Sequence, residues 1–280
     1  MSHPLDSLEK IIVENSDDFI IDSNIIADST FSKKIYDCYN ISNMDMDNLI
    51  ENKEYFQKID GIFSNLENVY IIKEITEENR RLLQICNEKC EWFKKKPDSC
   101  KEKIESFKQF NDYLFNLILT TKQRTLKPND KLYNKILQCT GIIVLEYNNF
   151  REHKDNNKYG IRGEKRDDFS YLGTDEKLIA TVLHRALTEK KDASIITKDK
   201  HLCGKFGLTY RLITCKELDN RIGDLKNHNL KVVGLSRDEK EYEIIRQTKN
   251  FSDIEKFSID GVTGEYRKSL KEKINNILKV

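Results

Sequence analysis

The stretch DDFIIDSN, residues 17–24, encloses a short apolar run between acids and small polar residues. Such a run is typical of a strand buried inside a parallel sheet, although a buried segment of helix can look the same. Similar runs recur along the chain, at Val69–Ile72, Ile142–Leu145, Ser194–Thr197 and Leu208–Thr214, and the pattern restarts at Leu230–Leu235. We expect these runs to supply the strands of one sheet.

Helical periodicity separates these runs. Residues 174–190 carry apolar side chains at the spacing of one helix face, with Thr174 as the expected N-cap and carboxylates in the first turn. Another helix is expected to begin near Ile75. Strands that alternate with helices predict an α/β fold with a mostly parallel sheet.

Three segments differ in character from this pattern. Residues 1–16 are polar and read as an N-terminal extension to an α/β domain at 17–220. A charged helical insertion is expected at about 85–135, because that stretch lacks the alternation of strand and helix. Residues 221–280 are expected to form a C-terminal extension or small subdomain.

The overall charge is balanced, with 48 Lys and Arg against 47 Asp and Glu. A global basic field for nucleic acid is therefore excluded, and contacts with phosphates would need local patches. The candidates for such contacts are Lys122, Arg124, Lys127 and Arg162.

The N-terminus shows no export signal, and no apolar run approaches the length of a membrane span. We therefore expect a cytoplasmic protein without membrane contact, in which the seven cysteines are reduced thiols. The irregular spacing of Cys86, Cys90 and Cys100 does not favour a zinc site.

Two acids lie where predicted strands end. Asp22 directly follows the first apolar run, and Asp199 follows Ser194–Thr197 after one lysine. Ligands of open parallel sheets bind outside the carboxyl ends of the strands, so both carboxylates are expected at the same edge.

Two further acids lie on the predicted helices. Glu78 shares a helix face with Ile75, and Asp175 lies in the first turn of its helix. A carboxylate on an apolar face is costly unless it is paired or binds a metal. Four oxygen ligands of this kind suit Mg²⁺ or Mn²⁺ rather than zinc.

The ordered motifs around these acids resemble those of PIN-domain nucleases. In that family an acid ends the first strand, a glutamate lies on an early helix, an aspartate opens a later helix, and another acid follows the fourth strand. The matching stretches lie within residues 17–220 and are Asp22-Ser23-Asn24, Ile75–Glu78, Thr174–Ala180 and Ile195–Lys200.

The resemblance implies a three-layer α/β/α fold with a central parallel sheet. It also implies an endoribonuclease that cleaves single-stranded or structured RNA with a water activated by Mg²⁺ or Mn²⁺. The implied catalytic metal ligands are Asp22, Glu78, Asp175 and Asp199, which Asn24 and Thr197 would orient. Dimerisation is common in the family, and a regulatory or inhibitory protein is a further expected kind of partner.

The chain departs from the family pattern in three ways. The gap between Glu78 and Asp175 is long, so the protein is larger than minimal toxin-type members. His201 stands where many relatives place a further acid or small polar residue, and Glu74 competes with Glu78 for the glutamate role.

Three other functions remain open at the level of sequence. A haloacid-dehalogenase-like phosphatase would need a second acid two residues after the first, where this chain has Asn24. A catalytically inactive PIN fold could serve as an RNA-binding or assembly scaffold. A nuclease acting on DNA or flap structures would use the same four acids.

Overall fold

The computed structural model describes residues 3–26, 46–95, 101–159, 172–214, 222, 224–236, 238–248 and 272–277. Within these ranges the chain is an α/β fold, in which a mixed sheet of mostly parallel strands is flanked by helices. The strands are β1 (Asp18–Ile21), β2 (Val69–Ile72), β3 (Thr125–Leu126), β4 (Ala193–Ile196), β5 (Lys231–Leu235) and β6 (Tyr242–Gln247). Their order in the sheet is β3-β2-β1-β4-β5-β6.

Hydrogen bonds define the directions of the strands. β1 pairs in parallel with β2, with Phe19 opposite Val69, and β2 pairs in parallel with β3. β5 and β6 form an antiparallel hairpin, because Ser236 N donates to Glu241 O (2.8 Å) near the turn and Thr248 N donates to Leu230 O (2.8 Å) at the other end. This hairpin makes the sheet mixed.

The strand order reverses at β1. The chain runs outward from β1 through β2 to β3, and β4 then lies on the other side of β1. The amide of Asp22 donates to the carbonyl of Ile196 (2.9 Å), so the carboxyl ends of β1 and β4 are adjacent. In open α/β sheets this kind of switch point is where ligands bind.

The helices lie before, between and after the strands. Their bounds are α1 (Pro4–Glu14), α2 (Ser23–Ile26), α3 (Met46–Asn65), α4 (Lys73–Phe93), α5 (Lys101–Gln123), α6 (Lys131–Tyr159), α7 (Thr174–Glu189) and α8 (Lys200–Ile213). A 3₁₀ turn covers Asp224–Asn227, and residues 272–277 are helical. None of the helices in the described ranges combines the length and the apolar character needed to cross a bilayer.

Backbone contacts divide the chain into two compact units. Unit 1 comprises Met1–Lys127, Ile196–Lys198 and Gly234–Glu243. In it α5 packs against α3 and α4, and four phenylalanines form an aromatic cluster between these helices, Phe56, Phe93, Phe107 and Phe110. Helix α1 buries Leu5, Leu8 and Ile12, so this N-terminal segment belongs to the core of unit 1.

Unit 2 comprises Pro128–Ile195, Asp199–Val233 and Ile244–Val280. In it α6 packs against α7 and α8. The predicted apolar face of α7 is buried, including Leu178, Val182 and Ala186. The predicted domain boundaries at residues 16 and 220 stay a prediction.

Two of the predicted strands are wrong. Ile142–Leu145 lies inside α6, and Leu208–Ile213 lies inside α8 and is followed by its C-cap, Thr214. Both helices are packed in unit 2 and bury apolar side chains. Over a few residues, such a buried helix has the same apolar sequence pattern as a buried strand. The strands predicted around Phe19, Val69 and Ile195 are confirmed, as are the helices predicted near Ile75 and over residues 174–190.

Four cysteines in the described ranges are buried thiols: Cys86, Cys90, Cys139 and Cys203. Burial raises the pKa of the Cys90 thiol to about 11 and that of the Cys139 thiol to about 12. Burial also raises the pKa of Cys86. The thiols of Cys86, Cys90 and Cys139 are therefore protonated at neutral pH.

Candidate active site

Asp22 is buried at the carboxyl end of β1, with a relative exposure of 4%. Its Oδ2 accepts hydrogen bonds from the Thr197 hydroxyl (2.7 Å) and the Asn24 amide (2.7 Å). Its Oδ1 accepts a bond from the backbone amide of Ser23 (2.7 Å). The structure thus brings together Asp22, Asn24 and Thr197, the acid and the two residues that sequence reasoning assigned to orient the ligands.

Asn24 connects the ends of the two central strands. Its Nδ2 also lies 3.1 Å from Thr197 Oγ1, and its Oδ1 accepts a bond from the backbone amide of Lys198 (3.0 Å). The groups that donate to Asp22 in the bonds described above are all neutral: the Thr197 hydroxyl, the Asn24 side-chain amide and the Ser23 backbone amide. They fix the orientation of the carboxylate and bring no charge of their own.

Glu78 lies on α4, which begins directly after β2. The parallel register pairs Ile20 with Tyr70, which places the start of α4 at the edge of the sheet where Asp22 lies. Helix α4 also packs against α2, the short helix that begins right after Asp22. The side chain of Glu78 is half-buried. Its neighbour Glu77 is exposed, and Glu77 Oε1 lies 3.4 Å from Lys73 Nζ.

Glu74 lies one turn before Glu78 and is also half-buried, so the choice between the two glutamates stays open. Asn79, the residue after Glu78, is 2% exposed. Its Nδ2 has no hydrogen-bond partner in the part of the chain that the structure describes. Sequence reasoning missed this core amide, because an asparagine on a charged helix resembles a surface residue.

Lys198 and Tyr55 are two further residues near Asp22 that sequence reasoning missed. The Lys198 Nζ lies 5.1 Å from the centroid of the Tyr55 ring. The Tyr55 hydroxyl donates to the carbonyl of Ile25 in α2 (2.5 Å). Lys198 stands out in sequence only by its place between Thr197 and Asp199, and nothing in the sequence around Tyr55 predicts the contact.

Asp175 occupies the first turn of α7, as predicted. Its Oδ2 forms an ion pair with the Lys205 Nζ of α8 (2.5 Å), and their side chains are 29% and 13% exposed. This lysine was also missed, because its contact with α7 leaves no local pattern in the sequence. Lys205 brings a positive charge that balances the Asp175 carboxylate.

The N-cap of α7 is Gly173, not the predicted Thr174, and it makes no side-chain cap bond. Glu176 takes over part of the capping, because its carboxylate accepts backbone hydrogen bonds at Gly173 and Glu176. A Cβ at residue 173 would lie 2.8 Å from Glu176 Oε2, so the glycine leaves room for this contact. Burial raises the pKa of Glu176, and the charge of Asp175 adds to the effect.

Asp199 is the N-cap of α8, and its Oδ1 accepts a bond from the amide of His201 (2.7 Å). Its side chain is partly exposed, and His201 is exposed. A helix cap is a sufficient structural reason for an aspartate at this position.

The four predicted ligands divide between the units: Asp22 and Glu78 belong to unit 1, and Asp175 and Asp199 belong to unit 2. Among the described residues, no group of three or more His, Cys, Asp or Glu side chains is placed to hold a metal ion. The four-ligand metal site therefore stays a prediction from the sequence.

The predicted phosphate contacts have different environments. Lys122 and Lys127 are exposed, near the end of α5 and just after β3. The Arg124 guanidinium donates to the carbonyl of Glu67 (3.2 Å), which gives it a structural role as well. Arg162 lies outside the described residues.

Comparison of the chain with protein-family models, curated proteins and solved structures found no match.

Proposed function

We propose that this chain is a metal-dependent phosphodiesterase, an endoribonuclease of the PIN type, in which Asp22 is the central metal ligand. The Asp22 carboxylate carries the proposal, because it is buried at the switch point of the sheet and oriented by neutral donors. Burying a carboxylate is costly, and a divalent cation offsets that cost.

The carboxylate chemistry of Asp22 and Glu78 suits Mg²⁺ or Mn²⁺. Both ions prefer oxygen ligands, and Mg²⁺ keeps several waters and often takes only one or two protein carboxylates besides substrate phosphates. Asp22 and Glu78 offer such ligands in unit 1. When bound, either ion supplies an activated water and positive charge for phosphodiester hydrolysis.

The chain's own residues would position this chemistry. Thr197 and Asn24 hold Asp22 Oδ2 in one orientation, and the Ser23 amide holds Oδ1. Glu78, Asp175 and Asp199 are the further ligands in this proposal, as the resemblance to PIN-domain nucleases implies.

A second function has one observation in its favour. The Asp175 carboxylate is paired with Lys205, so a metal would have to compete with this ammonium for its oxygens. If Lys205 stays paired with Asp175 and no metal binds there, the chain would be an inactive PIN fold that binds RNA or partner proteins.

Cleavage of labelled RNA tests the proposal. Wild type and Asp22→Asn would be compared on single-stranded RNA, structured RNA and matched DNA, with Mn²⁺, Mg²⁺ or EDTA. We expect cleavage of RNA that needs the metal, and a loss of at least about 100-fold in Asp22→Asn, since such metal sites contribute several kcal/mol to the barrier. Thermal unfolding would establish that the variant is folded.

Two glutamates on the same helix provide a matched control. Glu78→Gln is expected to lose activity, whereas Glu77→Gln removes the same charge from the exposed face of α4 and is expected to retain it. Wild type that binds RNA equally with and without metal but cuts nothing would favour the scaffold. Cleavage of DNA alone would reassign the substrate.

A further inference from the structure

We infer that the exposed face of α5 is an interface between two copies of this chain, in which the two α5 helices pack in antiparallel directions about a twofold axis. The inference goes beyond the proposed function and does not depend on it. Helix α5 belongs to unit 1, and none of the motifs that resemble PIN-domain nucleases lies on it.

The first observation is an apolar patch on the exposed face of α5. Phe115 and Leu119 are both 47% exposed, whereas the opposite face of the same helix is packed into the core of unit 1. They lie one turn apart, so their side chains are neighbours on the helix surface. The other exposed large apolar side chains of the described ranges, Val13 and Ile244, lie on α1 and β6. A contiguous apolar patch of this kind is typical of a surface that another chain covers.

The second observation is the position of the charges on either side of the patch. Asp112 lies three residues before Phe115, and Lys122 lies three residues after Leu119. Both charged side chains are exposed. The apolar pair and the charged pair have the same midpoint, at the level of Leu117 along the helix. The face therefore carries opposite charges at equal distances from the centre of its apolar patch.

A twofold axis at this midpoint makes the surface complementary to itself. In antiparallel α5 helices, each residue faces the residue of the other copy that lies equally far beyond the midpoint. Phe115 then faces the partner's Leu119, and Asp112 faces the partner's Lys122. Two apolar contacts lie at the centre and one ion pair lies at each end, as in an interface with an apolar core and a polar rim.

The same charges disfavour a parallel arrangement. A twofold axis along parallel α5 helices would place Asp112 beside the partner's Asp112, and Lys122 beside the partner's Lys122. Like charges across an interface repel, so the pattern selects the antiparallel pair. Two apolar side chains per copy are fewer than a permanent interface buries, and we therefore expect a reversible dimer with a Kd of about 10 to 100 µM.

Sedimentation equilibrium of the 280-residue chain in a reducing buffer tests the inference. A range from about 1 to about 300 µM brackets the expected Kd. Phe115→Ser is expected to weaken the dimer at least about tenfold, because the twofold axis places this side chain in both central contacts. Leu119→Ser is expected to do the same. Val13→Ser, which removes an apolar side chain that is 65% exposed on α1, is the control and is expected to change nothing.

Charge reversal tests the pairing itself. Asp112→Lys and Lys122→Glu each place like charges at both ends of the interface, so each variant alone is expected to dimerise at least about tenfold more weakly. The two variants mixed in equal amounts are expected to associate with each other. In that mixed dimer the two reversed residues face each other with opposite signs, and so do the two unreversed residues. Lys10→Glu reverses an exposed charge on α1 and is the control.

Three outcomes would overturn the inference. The first is a wild type that stays monomeric up to about 300 µM, well above the expected Kd. The second is a dimer that Phe115→Ser and Leu119→Ser leave unchanged, because another surface would then hold it together. The third is a failure of the two charge variants to associate with each other, which would exclude the antiparallel pairing. Thermal unfolding of each variant would establish that it is folded.

Discussion

Asp22 in unit 1 and Asp175 in unit 2 are two aspartates whose carboxylates are supported in opposite ways. Asp22 accepts bonds from a hydroxyl, a side-chain amide and a backbone amide, all of which are neutral. Asp175 is paired with the ammonium of Lys205. Neutral donors orient a carboxylate, whereas an ammonium also balances its charge. Both aspartates have the same predicted role as metal ligands, but their carboxylates have different partners in the structure.

The largest expected effect on stability comes from the ion pair. Asp175→Asn or Lys205→Gln is expected to destabilise the protein by about 2 kcal/mol, since each leaves a mostly buried charge without its partner. The double variant is expected to lose less than the sum of the two. Urea unfolding of the four proteins measures this coupling.

The exposed pair Lys10–Glu14 on α1 is the control for that cycle, because its side chains are 72% and 59% exposed. Its coupling is expected to stay below about 0.5 kcal/mol. If the Asp175 and Lys205 variants are additive, the ion pair is unimportant and the contrast with Asp22 disappears.

The next effect concerns the neutral donors of Asp22. Thr197→Val keeps the shape of the side chain but removes the hydroxyl that donates to Asp22 Oδ2 and lies beside Asn24 Nδ2. We expect a loss of about 1–2 kcal/mol in stability, because two buried groups lose a partner. RNA cleavage is expected to fall with it.

Thr197→Ser provides the comparison, because it keeps the hydroxyl and loses only a buried methyl group, which costs about 0.8 kcal/mol. Serine is therefore expected to retain cleavage that valine loses, although both are less stable than wild type. Equal cleavage by the two variants would contradict an orienting role for the hydroxyl.

The last expected effect concerns a helix cap in unit 2. Asp130 Oδ1 accepts a bond from the Tyr133 amide at the start of α6 (2.7 Å), and Oδ2 lies 2.7 Å from His184 Nε2. The Tyr133 amide is the largest cause that lowers the pKa of Asp130, and His184 adds to it. Asp130→Ala is expected to cost about 1 kcal/mol at neutral pH, as for other lost N-caps.

The sign of the pH dependence follows from the lowered pKa. A carboxyl group whose pKa is lower in the folded state stabilises the protein above its unfolded value of 3.8, and this contribution is lost as pH falls below it. The difference between wild type and Asp130→Ala should therefore shrink below pH 3.8 in urea unfolding. Asp130→Asn keeps an acceptor for the cap and should lack this acid dependence. A constant difference across pH would refute the carboxylate as its source.

The sequence predicted the central part of the fold because its signals are local. The runs at Phe19, Val69 and Ile195 are apolar and bounded by polar residues, and α7 shows a clear helical period. The two-residue strand β3 is too short to produce a pattern. The runs within α6 and α8 misled because a buried helix and a buried strand look alike over a few residues.

The candidate site could also be predicted only in part. The end of the first apolar run predicted Asp22 at the edge of the sheet. The resemblance to PIN-domain nucleases implied that Asn24 and Thr197 orient the ligands there. The pairs Asp175–Lys205 and Lys198–Tyr55 join residues distant in sequence on different elements. Contacts of that kind depend on how helices pack, and a single sequence carries no local pattern for them.

The buried cysteines make local opening of the chain measurable. A thiol reagent reacts with the thiolate, so protonated and buried thiols are modified only after the surrounding helix opens. Cys86 lies on α4 with Glu78, and Cys139 lies on α6 in unit 2. Their rates of modification, followed by mass spectrometry, would report the opening free energy of each unit in the unmodified sequence.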